Sequence, residues 1–82
     1  AVSIYVNPNP ANTEAVISVS ESGVPDWEVK IFNVDGKLIH REETTLPLSL
    51  RVDEWPARVY LLSVKSTGNN SIQSSRLFVV QH

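Results

Sequence analysis

The chain has no cysteine and no methionine, and only three glycines among its 82 residues. Without cysteine there is neither a disulfide framework nor a thiolate metal site, so stability has to come from packing. Charge of one sign is scarce as well: seven Lys and Arg stand against nine Asp and Glu, a formal net charge of -2, with neither sign gathered into a block. That balance excludes the clustered basic surface that phosphate neutralisation requires, and with it a nucleic-acid partner. No apolar run approaches the roughly 20 residues of a membrane-spanning helix, so direct membrane insertion is not expected. An initiator Met is missing, and the opening Ala1-Val2-Ser3 reads as the start of a piece of a longer protein.

What is present is a globular mixture, 41% hydrophobic and 20% charged, which is too apolar for a disordered segment. A length of 82 residues leaves room for one core only, so residues 1–82 are expected to form a single domain. Apolar residues recur at period two, interrupted by turn formers every 8 to 12 positions or so, the pattern of an all-β sandwich or barrel. Seven strands are predicted: Val2 to Val6, Glu14 to Glu21, Trp27 to Val34, Lys37 to Glu43, Leu46 to Val52, Ala57 to Ser66 and Ser71 to Val80.

The punctuation is informative. Pro8 and Pro10 lack ladder donors and restrict the residues before them, so Asn7 to Pro10 reads as an extended loop. Asp35-Gly36 between two apolar-rich runs is a hairpin signal, because Gly tolerates positive φ. Pro47 confines the fifth strand to a sheet edge or a bulge. Apolar residues on both faces of the sixth strand, Tyr60, Leu62 and Val64 opposite Val59 and Leu61, suggest a central strand. Such a chain is expected to be a seven-stranded antiparallel immunoglobulin-like β-sandwich. Its core candidates are Val29, Ile31, Leu48, Leu50, Tyr60, Leu62 and Val64.

Residues capable of chemistry are sparse. His40 lies within a strand beside Arg41, and His82 is terminal. The chain has no nucleophile elbow and no Gly-rich oxyanion loop, and Gly36-Lys37 lacks the remainder of a phosphate loop. The acidic pairs Glu42-Glu43 and Asp53-Glu54 lack the alternating oxygen ligands that calcium needs. Asn69-Asn70-Ser71 matches a glycosylation tripeptide but is explained by a hairpin tip. Trp27 and Trp55 offer rings for sugar stacking, with core or rim packing as the plainer account. No catalytic residue, metal or cofactor is assigned, and the chain is not expected to be an enzyme.

Taken together, the loops and strand ends resemble a known family, the type A C-terminal sorting domains of type IX secretion cargo in Bacteroidetes. The resemblance is carried by Tyr5 with Pro8-Asn9-Pro10-Ala11, by the run from Val29 through Asp35-Gly36-Lys37 to Ile39, by Leu50 to Pro56, by Val59-Tyr60-Leu61-Leu62-Ser63-Val64, and by Ser75-Arg76-Leu77-Phe78-Val79-Val80. The chain departs from the family pattern where Val6-Asn7 separates Tyr5 from Pro8, where Arg58 stands in place of a glycine, and where Arg76 replaces a frequent lysine.

The resemblance implies an export signal for an upstream cargo domain. The signal would fold in the periplasm, be recognised by the outer-membrane translocon and be removed at the cell surface by a sortase-like cysteine peptidase, leaving the cargo surface-bound or secreted. Recognition is expected at Gly36 and Lys37 of the hairpin and at Arg76, Leu77, Phe78, Val79, Val80 and Gln81 of the last strand, because an edge strand offers its main chain to a partner. Edge pairing of isolated copies into a dimer stays open. The alternative is an immunoglobulin-like or fibronectin-like accessory module that binds carbohydrate or a neighbouring domain.

Overall fold

The computed structural model describes residues 3–9, 11–20, 26–67 and 73–81. Its seven strands are β1 (Ile4–Asn7), β2 (Glu14–Val19), β3 (Trp27–Phe32), β4 (Leu38–Thr44), β5 (Leu48–Arg51), β6 (Val59–Ser66) and β7 (Gln73–Val79). Every predicted strand is found, with ends moved by a few residues. Val2, Glu21, Ser71 and Ile72, included in those predictions, lie outside the described residues, as do Asn69, Asn70 and His82.

The strands form two antiparallel sheets, one ordered β1-β2-β5 and the other β4-β3-β6-β7. In the constant-type immunoglobulin arrangement the fourth strand belongs with the first, second and fifth. Here the tight Asp35-Gly36 turn folds β4 back on β3, so β4 is held in the larger sheet. The result remains an immunoglobulin-like sandwich with no helix among the described residues.

Alternation decides which side chains are inside. Ile4 and Val6 of β1, Ala15 and Ile17 of β2, and Leu50 of β5 face Trp27, Val29 and Ile31 of β3. Tyr60, Leu62 and Val64 of β6 and Phe78 of β7 complete the layer, joined by Ala11, Val52 and Val80. Six of the seven predicted core residues are buried; Leu48 packs half-buried at the rim. Each fully buried aliphatic or aromatic side chain is worth about 1.5–3 kcal/mol of transfer free energy. The smaller sheet cannot cover the larger one completely, and β4 overhangs it. Accordingly the inward positions of β4 are His40, Glu42 and Thr44, which are half-buried and polar.

Strand β6 lies between β3 and β7, as its apolar pattern suggests, but burial on two faces is not the reason. Val59 and Leu61 are exposed on the outer face, so β6 is central by pairing alone. At its start the Tyr60 hydroxyl donates a 2.7 Å hydrogen bond to the Pro56 carbonyl. This is the tyrosine corner of immunoglobulin-like sandwiches, which fixes the approach to the sixth strand. The Tyr60 ring sits between Trp55, with centroids 5.2 Å apart, and Phe78, 5.7 Å apart.

After β1 the chain leaves its sheet, since Pro8 cannot extend the ladder. It crosses to the last strand, where Ala11 makes a parallel bridge to Val80. The Ala11 amide donates to the Val79 carbonyl at 2.8 Å, and the Gln81 amide donates to the Ala11 carbonyl at 2.8 Å. Asn9 Oδ1 accepts the Val79 amide at 3.1 Å. The C-terminal end of β7 is therefore paired on both sides.

Candidate recognition surface

The β3–β4 turn is organised by one side chain. Asn33 Oδ1 accepts the amides of Asp35 at 2.9 Å and Lys37 at 3.0 Å, the local bonding by which Asn holds turns. Gly36 takes φ +83°, a conformation costly for a residue with a Cβ. The turn brings Leu38 into register with Phe32 on the outer face of the sheet. Phe32 pairs with Leu61, and Leu61 pairs with Leu77. Leu38, Phe32, Leu61 and Leu77 thus form one apolar row across all four strands, and Val59 pairs with Val79 in the next row.

Phe32 and Val79 are half-buried and the others exposed; Leu77 is 61% exposed and Val34, in the turn, 64%. Between them runs an open groove of about 580 Å³ lined by Phe32, Asn33, Val34, Gly36, Val59, Tyr60, Leu61 and Leu77. The other half of the same face is polar. Arg41, Lys30, Ser63 and Ser75 make one cross-strand row, and Glu43, Glu28, Lys65 and Gln73 make another. Arg41 bridges Glu28 and Glu43, and Lys30 lies 3.4 Å from Glu28. The hydrogen bond from Arg41 is the main influence holding the Glu28 carboxyl below its ordinary range, with Lys30 adding to it against some desolvation. The face is split into an apolar half beside the hairpin and a charged half away from it.

The residues expected to form the recognition site fall into three settings. Gly36 and Leu77, distant in sequence, line the same groove, and Lys37 is exposed next to Gly36. Phe78 and Val80 face inward, each 1% exposed, and serve the core. Arg76, Val79 and Gln81 tie the last strand to the first part of the chain: the Arg76 guanidinium donates to the Ile4 carbonyl at 2.8 Å, and the main chain of Val79 and Gln81 bonds to Ala11. Phe32, Val34, Val59 and Leu61 were not expected in the site. The signal for two of them was visible, in the second apolar face of β6.

Several of the other candidates have structural partners. Arg51 holds Asp53 at 3.0 Å, and His40 Nε2 is 3.1 Å from Glu42. Trp27 is buried and so presents no ring to a sugar, while Trp55 packs at the rim between His40 and Tyr60.

A family model described as a secretion system C-terminal sorting domain matches residues 3–80. No curated protein matches the chain. The matched span contains all seven strands, the hairpin turn and both walls of the groove. The chain belongs to the C-terminal sorting domains of type IX secretion.

Proposed function

We propose that residues 1–82 act as one export unit that delivers an upstream cargo through the type IX outer-membrane translocon, and that the groove half of the β4-β3-β6-β7 sheet is the surface the translocon reads. Membership of a sorting-signal family implies interaction with the type IX machinery and export to the cell surface or medium. The observation that carries the reading is the meeting of Gly36 and Leu77 on one exposed apolar groove. An uncovered apolar patch rimmed by charge is the usual mark of a docking surface. Lys37 and the outward side of Val79 flank the contact, while Phe78 and Val80 hold the strand in place from inside. In transit the unit folds in the periplasm, and at the surface a sortase-like cysteine peptidase removes it from the cargo.

The test is a fusion of residues 1–82, behind a short linker, to a periplasmic reporter in a Bacteroidetes cell, with a translocon-deficient strain as control. Surface delivery that depends on the translocon is expected. Leu77→Glu then separates recognition from folding: its side chain is 61% exposed, so the fold loses no more than about 0.5–1 kcal/mol, yet the reporter should stay in the periplasm. Truncating the chain at Arg76 is a poorer probe, because it also removes Phe78 and Val80 from the core. Normal surface delivery of the folded Leu77→Glu fusion refutes the groove as the recognition surface.

A further inference from the structure

Four strands stand at sheet edges: β1 and β5 in the smaller sheet, β4 and β7 in the larger. Three of them are guarded. β1 and β5 are four residues long and adjoin Pro8 and Pro47, and β4 carries His40, Arg41, Glu42 and Glu43 in succession. Short length, proline and charge are the devices that keep a sheet edge from pairing. β7, Gln73–Val79, has seven residues, no proline and one charged side chain. That side chain, Arg76, is engaged with the Ile4 carbonyl.

The hydrogen-bonding parity of β7 follows from its last residues. Val80 donates to the Arg58 carbonyl of the strand-β6 side, whereas the amide and carbonyl of Val79 point away, to Asn9 and Ala11. Antiparallel pairing alternates residue by residue, and the β6–β7 register runs without a shift from Val59↔Val79 to Lys65↔Gln73. The main-chain groups of Leu77, Ser75 and Gln73 therefore point outward like those of Val79, continuing an edge whose far end Ala11 already occupies.

We infer that this edge, open among the described residues, takes a further strand, an extended segment of the type IX machinery that pairs with Gln73–Leu77 and places an apolar side chain beside Leu77. This rests on the export reading above and specifies how the partner is gripped. An apolar side chain at that position extends the row Leu38, Phe32, Leu61, Leu77 and covers the groove wall, and polar side chains beside Ser75 and Gln73 extend the polar rows. A second copy of the chain is a poorer occupant. A two-fold pairing centred on Ser75 sets Leu77 opposite the other copy's Gln73 and interrupts the apolar row.

Ser75→Pro tests the edge. Proline removes the outward amide of residue 75, leaves the hydrogen bonds to β6 intact, and is compatible with an edge strand. Ser75→Val keeps the amide and changes only the side chain. The expected result is that Ser75→Pro lowers reporter surface delivery by about tenfold or more, the scale of one or two lost hydrogen bonds, while Ser75→Val delivers as the parent does. In parallel, hydrogen–deuterium exchange of residues 73–77 in the unaltered chain should slow when detergent-solubilised type IX translocon is added. Should Ser75→Pro fail to fold by circular dichroism, the exchange measurement decides. Parental delivery by folded Ser75→Pro, or exchange unchanged by the translocon, overturns the inference. If Leu77→Glu still abolishes delivery in that case, the export reading stands and the groove alone makes the contact. Protection that grows with the chain's own concentration, without translocon, assigns the edge to self-pairing instead and also overturns it.

Discussion

Replacing Tyr60 with phenylalanine removes one oxygen atom from the corner that leads into β6. The ring is 2% exposed and keeps its neighbours Trp55 and Phe78, so no cavity opens in the core. What is lost is the 2.7 Å hydrogen bond to the Pro56 carbonyl. A hydrogen bond of this kind contributes about 0.5–1.5 kcal/mol, and a buried group left unpaired costs more, about 1–3 kcal/mol. The bond is only part-buried, so the lower range applies. A loss of about 1 kcal/mol corresponds to a fall in Tm of about 4–8 °C for a chain of this size. Thermal unfolding followed by circular dichroism measures it directly. Tyr60→Leu, which also discards the two ring contacts, should fall further, by about 0.5–1.5 kcal/mol for each aromatic pair lost. A Tm for Tyr60→Phe equal to that of the parent would refute the view that the hydroxyl secures the corner.

Two further substitutions probe the surface half of the fold. Gly36→Ala meets no atom within 4 Å but forces a Cβ onto φ +83°, so it should destabilise by about 1–2 kcal/mol through backbone strain alone, read as a lowered urea midpoint with an unchanged m-value. The Glu28 carboxyl is held below its ordinary range chiefly by Arg41. A depressed acid stabilises the fold at pH above its unfolded value and ceases to do so as pH falls through its folded value. Glu28→Gln should therefore unfold at lower temperature than the parent at neutral pH, with the two melting curves converging as the pH drops below about 4; a gap that persists in acid would contradict the pairing.

The groove explains why an apolar surface is tolerated. Exposed apolar residues on a sheet invite aggregation when they lie along a bare edge. Here the row runs across the face, and only its two ends, Leu38 of β4 and Leu77 of β7, reach an edge. The charged rows of Arg41, Lys30, Glu28, Glu43 and Lys65 occupy the rest of that face. Under the proposed export reading the unit has to stay folded until the translocon covers the groove, and a face divided in this way serves that need.

Period-two alternation, with proline and Asp-Gly punctuation, was enough to place all seven strands, the hairpin and most of the core, because each depends on neighbours a few residues apart. Leu50, Tyr60, Leu62 and Val64 were legible as core for that reason, and Gly36 as a turn residue because only a left-handed conformation closes so tight a hairpin. The outward face of a strand is not settled by its own pattern. Val59 and Leu61 are apolar, yet both stay exposed on the outer face, and Phe78 and Leu77 are adjacent yet divide between core and solvent. Those outcomes depend on how many strands the opposing sheet can set against each position. The bringing together of Gly36 and Leu77, and the closing of the far end of β7 by Ala11, arise from contacts between residues distant in the chain, which only the packed sandwich brings within reach.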